Sequence, residues 1–399
     1  MTKTVALVYF NAGGGHRSAA QALQQVIGEQ QRPWDVRLVD LTDVLDPEQK
    51  FRKLTGFAPE DYYNRRLARG WTLGLAHELK LLQGMIRLSH ATLVRSLQQH
   101  WLRSEPDLVV SLIPNFNRAL YESVESTLPG VPYVTVLTDL ADLPPHFWIE
   151  PGQDQHLICG TPQATAQARA AGYADPQISQ TSGMILRPAF YRAAPQDRDA
   201  ELRALGLDPT RPTGIVMFGG HGAAQMATIA QRLHDVQLIA LCGRNEQLVR
   251  RLRRTAAQHA RPHAAIGFTD DVCRYMRLGD FFIGKPGPGS LCEAVQCGLP
   301  VITIANAWTM PQERYNTQWV REVGIGVVLK SFRGVRAAVD DVTERLPQLK
   351  AGVQRIRNRA VFEVPEILAG LLEAAAEPDR RGRGRGRDQE GELALARAR

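Results

Sequence analysis

The chain has 399 residues, more than the ~250–300 at which a single hydrophobic core usually stops growing, so two domains are expected. Hydrophobic residues make up 44% and aromatics 7%, an ordinary globular composition that argues against a disordered or fibrous protein. The formal net charge of +7 favours anionic partners, whether phosphates, nucleic acid or acidic lipid headgroups, without choosing among them.

In chain order, Val5 to Phe10 reads as a first strand, followed by a glycine loop, Gly13-Gly14-Gly15, and an amphipathic helix from Ser18 to Ile27. The apolar run ahead of the glycines is too brief for a signal peptide. Further strand-like runs lie at Val36–Leu41, Leu108–Leu112 and Val131–Leu137. A polar, proline-containing stretch from Ala193 to Pro212 weakens the periodicity. The opening pattern then repeats, with a strand at Gly214–Phe218, glycines within 219–222 and a helix at Ala223–Leu233. Strands at Gln237–Cys242, Phe281–Ile283 and Val301–Ala305 follow, and a final helix at Val364–Ala375 fits either domain. Strands alternating with helices predict an α/β protein with two facing Rossmann-like, doubly wound domains. The expected division is 1–192, a linker at 193–212, 213–376, and an Arg/Gly-rich tail at 377–399 that reads as solvated and disordered.

The five cysteines, at 159, 242, 273, 292 and 297, form no CxxC pair, which points to reduced thiols in a cytosolic protein. No run approaches the ~18 consecutive apolar residues of a membrane span, so membrane contact is expected to be peripheral. Between Lys50 and Arg103, ten basic residues face three acidic ones, and Phe51, Phe57, Tyr62, Tyr63, Trp71 and Trp101 are interleaved. That mixture suits helices lying on an anionic bilayer; ordinary amphipathic helices with solvated charged faces would also produce it. No nucleic-acid reader motif accompanies it, so no specific nucleic acid is expected.

Two loops carry candidate chemistry. In Gly284–Pro300 the glycines let backbone approach a ligand, Ser290 is expected to cap a helix running through Cys297, and that helix's N-terminus is a seat for a diphosphate. Glu293, expected in the first turn, has oxygens for both hydroxyls of a ribose. The Ser-x-x-Glu spacing also fits a plain capping box. Gln312, Glu313 and Asn316 follow the next strand at the edge where ligands bind in open α/β sheets. In the first half, Gly13-Gly14-Gly15-His16 lacks the third glycine of a dinucleotide fingerprint, since Ser18 stands there. His16 suits a general base, or a histidine that pins the glycine loop.

The run GKPGPGSLCEAVQCGLPVI, with CGRNEQL at 242–248, GFTDDV at 267–272 and NAGGGHRSAAQAL near the N-terminus, resembles glycosyltransferase family 28. The likeness is particularly to its monogalactosyl- and processive diacylglycerol glycosyltransferases, and more distantly to the peptidoglycan lipid II synthase. The resemblance implies a GT-B fold and inverting transfer of a hexose from a UDP-sugar to a lipid hydroxyl such as diacylglycerol, with no cofactor and no metal. With reduced thiols, no membrane span and a basic surface, the expected location is cytoplasmic, peripheral on the inner face of the cell membrane. By the same resemblance Glu293 binds ribose, Pro288, Gly289 and Ser290 form the diphosphate loop, and Phe268 flanks uracil. Gln312 and Glu313 meet the donor sugar, Gly219, Gly220 and His221 meet the phosphates, and Arg244 has the charge to neutralise them. Gly13, Gly14, Gly15 and Trp148 fall on the acceptor side. Asp139, in a Thr-Asp motif, serves as base or orients His16. The family's His-x-x-Trp is spaced differently here, which leaves His146 unassigned. The rival readings are a UDP-sugar epimerase on the same fold and a non-catalytic UDP-sugar-binding module.

Overall fold

The computed structural model describes residues 2–10, 14–46, 75–192, 197–220, 222–256 and 262–376. The expectations for Gly13, His221, the 377–399 tail and the basic and aromatic residues from Lys50 to Trp71 lie outside the described residues.

Aliphatic and β-branched runs form two six-stranded sheets in which every neighbouring pair is parallel. The first contains β1 (Lys3–Tyr9), β2 (Trp34–Asp40), β3 (Leu108–Ser111), β4 (Tyr133–Val136), β5 (His156–Cys159) and β6 (Ile178–Gln180), in the order β2-β1-β3-β4-β5-β6. The second contains β7 (Thr213–Met217), β8 (Gln237–Leu241), β9 (His263–Ile266), β10 (Phe281–Gly284), β11 (Val301–Ile304) and β12 (Gly326–Leu329), in the order β12-β11-β10-β7-β8-β9. Every residue of β3, β4, β7, β8 and β10 is buried, because helices cover both faces. Strand order reverses between β1 and β3 in one sheet and between β7 and β10 in the other. Such reversals open a crevice at the carboxyl ends of the strands.

The domain boundaries differ from expectation at two places. Part of the expected linker is the helix Arg198–Ala204, whose Leu202 packs with Leu207, Ile215 and Met276 in the second domain's core. The last helix, Ala360–Ala376, which falls within the 213–376 division although its sequence fits either domain, packs on the first. Its Val361, Val364, Leu368 and Leu372 join Val5, Leu23, Ile27, Val134 and Ile158. The physical reason is the apolar face of β1, β3, β4 and β5, which the helix Gly15–Glu29 alone does not cover.

The chain therefore passes between the domains twice, and the two passages are joined. Ser182 donates from its backbone N–H and its Oγ to the Glu363 carboxylate, each at 2.7 Å. Arg359 N donates to Ser182 Oγ at 2.7 Å, and Asn358 Nδ2 donates to the Met184 carbonyl at 2.8 Å. A Cβ at Gly183 would stand 2.7 Å from the Asn358 side chain, so glycine is what permits this approach. Leu140, Ala141, Met184, Leu186, Cys292 and Tyr315 complete a small apolar seam between the domains.

Candidate active site

The carboxyl ends of both sheets line one cavity of about 1020 Å³. On the second domain's side, the loop after β7 carries Gly219 at φ +76°. Gly243, after β8, has φ +55°, and a Cβ there would lie 2.1 Å from the Gly220 carbonyl. The two loops thus touch through backbone, and Arg244 N donates to Gly220 O at 3.0 Å.

After β10 the chain turns at Lys285–Gly287 into the helix Pro288–Gln296, whose N-cap is Gly287 with no side-chain cap bond. This corrects the expected cap. Proline has no N–H to lose and a φ suited to the first helical position, so the helix begins at Pro288. Ser290 then sits inside the first turn and Glu293 in the second, and no Ser-x-x-Glu capping box forms. The amides of Gly289 and Ser290 have no acceptor within the helix and belong to residues lining the cavity. Gly298, just past the helix, has φ +78°.

Glu293 is half-buried, with Arg187 Nη2 3.8 Å from its Oε1. Burial pushes its carboxyl up to about 7, and Arg187 opposes the rise. Glu313 is buried, with Lys285 Nζ 3.5 Å from its Oε1. Gln312 lines the cavity and donates from Nε2 to Met310 Sδ at 3.7 Å. Asn316 is fully buried and donates from Nδ2 to the Pro286 carbonyl at 2.7 Å, which pins the loop carrying Lys285. Phe268 is 55% exposed at the rim, an unusual state for a large aromatic. The Arg244 guanidinium lies 4.8 Å from its ring centroid, a cation–π contact at the cavity's edge. Arg244 is thereby placed beside the aromatic ring and not among the residues lining the cavity.

On the first domain's side, Gly14 (φ +80°) is the N-cap of the helix Gly15–Glu29, and His16 lies in its first turn. His16 Nδ1 is hydrogen-bonded to Thr138 Oγ1 at 3.0 Å, and its ring centroid is 5.9 Å from that of Trp148. Burial pushes the imidazole down to about 4, with the Leu112 backbone opposing the fall. Asp139 is buried and accepts from Trp148 Nε1 at 2.9 Å. Burial pushes its carboxyl up to about 7; the Trp148 bond opposes this, and the charge of Glu313 adds to it. The hydrogen bond that orients His16 therefore comes from Thr138, while Asp139 holds Trp148. The altered spacing before Trp148 has a cause in Asp142. Its carboxylate accepts from the backbone N–H groups of His146, Phe147 and Trp148 at 2.9, 2.9 and 2.7 Å. That loop turns His146 outward and Trp148 into the core.

Helix Leu75–Leu88 contributes Leu79, Leu81, Leu82 and Met85 to the cavity wall. Leu81 and Met85 are 65% and 50% exposed, and Leu88, one turn on, is 91% exposed. Of the basic span, Arg87, Arg95 and Arg103 are described, and all three are exposed.

Pattern reading did not single out four residues: Lys285, Arg187, Thr138 and Asp142. Lys285 stood within a quoted motif, where a lone cation between two glycine loops was the available signal. Thr138 stood in the Thr-Asp motif, and it, Arg187 and Asp142 act on partners across loops or through backbone, which spacing does not reveal.

Residues 215–347 match the model of the glycosyltransferase family 28 C-terminal domain. The matched residues make up most of the second domain, which is similar to family 28 C-terminal domains. A protein of Arabidopsis thaliana named monogalactosyldiacylglycerol synthase 1, chloroplastic, is 26% identical over 385 residues, covering 91% of this chain and 70% of that protein. Among solved structures, MurG of Acinetobacter baumannii superposes with a TM-score of 0.57 at 12% identity, over 92% of this chain and 99% of MurG. A Listeria monocytogenes protein described as a UDP-N-acetylglucosamine 2-epimerase superposes with a TM-score of 0.58 at 12% identity, over 95% and 98%. At such identity these structures establish the GT-B fold of two facing sheets. The family 28 segment contains Lys285, Ser290, Glu293 and Glu313; His16, Asp139 and Arg187 lie outside it.

Proposed function

We propose that the chain transfers a hexose, with inversion, from a UDP-sugar to the hydroxyl of a lipid such as diacylglycerol. The observation that carries this is the single cavity in which the family 28 loop, His16 and an exposed apolar helix face meet. Glu293 receives the ribose hydroxyls, Phe268 stacks on uracil, and Gln312 and Glu313 approach the sugar. Neutral His16 takes the acceptor hydroxyl's proton as its oxygen bonds to the anomeric carbon. The bond from that carbon to the diphosphate breaks on the opposite face, and UDP departs. The helix N-terminus at Gly289–Ser290 and the Lys285 ammonium meet the charge that develops on the diphosphate. The UDP-sugar is a substrate, and the scheme uses no cofactor.

The acyl part of the acceptor fits Leu81, Leu82 and Met85, with Leu88 and the exposed arginines directed to an anionic bilayer surface. Among the described residues no helix is long and apolar enough to cross a membrane, which agrees with peripheral attachment.

The test is incubation of the protein with UDP-glucose, UDP-galactose or UDP-N-acetylglucosamine and diacylglycerol in anionic vesicles, measuring UDP release and glycolipid. Glycolipid formation supports the reading. Interconversion of UDP-sugars without acceptor would favour an epimerase, whose fold is the same; UDP binding with no product would favour a binding module. Glu293→Ala is expected to weaken UDP binding about 10- to 100-fold, as loss of charge-assisted hydrogen bonds predicts, and calorimetry reads this directly. Lys285→Met is expected to lower kcat by about 100-fold and to weaken UDP more than uridine, because its effect falls on the diphosphate. Equal losses for UDP and uridine would remove Lys285 from that role.

A further inference from the structure

We propose that Arg187, on the connection between the domains, is a positioning residue that aims the Glu293 carboxylate at the ribose of the bound nucleotide; this rests on the donor site described above. Arg187 lies outside the family 28 segment, so the donor site is completed by a residue from beyond it.

The connection around Arg187 is fastened to the second domain. Cys273 Sγ donates to the Ala189 carbonyl at 3.3 Å, and Arg277 Nη2 donates to the carbonyls of Ala189 and Phe190 at 3.4 and 3.3 Å. The Arg187 side chain is fixed on two further sides. Its Nη1 donates to the Asp270 carbonyl at 2.8 Å, and its guanidinium lies 5.4 Å from the centroid of the Phe190 ring. Nη2 is left toward Glu293 Oε1, at 3.8 Å.

The other charged and titratable groups around the helix Pro288–Gln296 do not substitute for this cation. Cys292 and Cys297 are thiols on or just beyond it, Cys273 meets Cys297, and Tyr191 and Tyr315 pack beside Cys292. Lys285 is paired with Glu313. Lys350, on the helix packed behind, is paired with Asp280 at 2.8 Å. Burial alone drives the Glu293 carboxyl toward its acid form near neutrality, and Arg187 opposes that. An acid form would present a proton where the ribose needs an acceptor. The sign follows: UDP affinity is full above about pH 7 and falls as pH drops through it, and loss of the cation moves that fall to higher pH.

The experiment measures binding of UDP, 2′,3′-dideoxy-UDP and uridine to the full chain and to Arg187→Met and Arg187→Lys, by calorimetry from about pH 6 to about pH 8.5. Arg187→Met is expected to weaken UDP about tenfold at neutral pH, the factor that corresponds to one unit of carboxyl pKa. The loss should shrink as pH rises, be largely absent for dideoxy-UDP, and be partly restored in Arg187→Lys. A Glu293→Gln background should cancel the cost of Arg187→Met, a cycle that reports the contact itself. The same loss for UDP and dideoxy-UDP at every pH overturns the inference, as does a loss that persists for dideoxy-UDP and vanishes for uridine, which would put Arg187 on the diphosphate. If Arg187→Met does not fold, the Arg187→Lys profile decides, since a shorter, repositioned cation should still shift the pH midpoint. A wild-type chain that binds UDP but transfers no sugar would sink the transferase reading and leave this inference intact; failure of the wild type to bind UDP would sink both.

Discussion

Replacing His16 with alanine is expected to lower sugar transfer by about 10²- to 10⁴-fold, the usual worth of a positioned general base, while UDP affinity stays within about twofold. The separation follows from where the residues sit. His16 belongs to the first turn of a first-domain helix and is bonded to Thr138, whereas the nucleotide-facing groups belong to the second domain. The pH profile assigns the proton. With donor saturating, His16 as the base gives a kcat that falls only near pH 4, because burial keeps its imidazole neutral above that value. If Asp139 were the base, kcat would fall near pH 7 instead. In either case kcat/KM falls near pH 7, because Glu293 must ionise in the free enzyme to take up the ribose. Full activity in His16→Ala would make the histidine a pin for the glycine loop and nothing more.

Asp139→Asn should separate function from stability. The amide oxygen of asparagine can still accept the hydrogen bond from Trp148 Nε1, so the indole that packs against His16 stays in place. The carboxylate that lines the cavity with His16 is lost, and transfer is expected to fall about 100-fold or more. Stability should move the other way. The folded-state carboxyl, at about 7, lies above the ordinary aspartate value of 3.8, so the folded state holds this proton more tightly than the unfolded chain does. Wild-type stability from this group is present below the lower value and is lost as pH rises to the upper one, by an amount on the order of a few kcal/mol. Asparagine has no such loss, so the variant's melting temperature relative to wild type should climb between about pH 4 and pH 7. A variant that gains stability and keeps its activity would make Asp139 a structural residue.

The central strands were legible because burial on both faces leaves nearly continuous apolar runs such as Leu108–Ser111 and Gln237–Leu241. β6 and β12 were not. They are three and four residues long, half-exposed at sheet edges, and too short for any period to show. β5 and β9 begin with a histidine, which breaks the apolar signal within four residues. The donor loop was legible because its parts are contiguous from Gly284 to Pro300. Ser290 was misplaced because proline at the first helical position moves the start of the helix, a backbone effect that outweighs the cap preference of serine. Thr138 meets His16 across 122 residues, and only the parallel packing of β1, β3 and β4 brings the two strand ends together.

The joined passages between the domains bear on how such chains can be recombined. A chimera that exchanges the second domain by splicing at the ends of the 215–347 segment leaves helix Ala360–Ala376 with the first domain, where its apolar side chains are needed. A splice after 376 would instead graft a foreign helix onto β1, β4 and β5. Whichever donor is chosen, residue 183 and residue 358 must come from the same parent, because any side chain larger than glycine at 183 collides with Asn358 and forces the passages apart. Modular exchange in this fold is therefore set by two distant positions that must be inherited together.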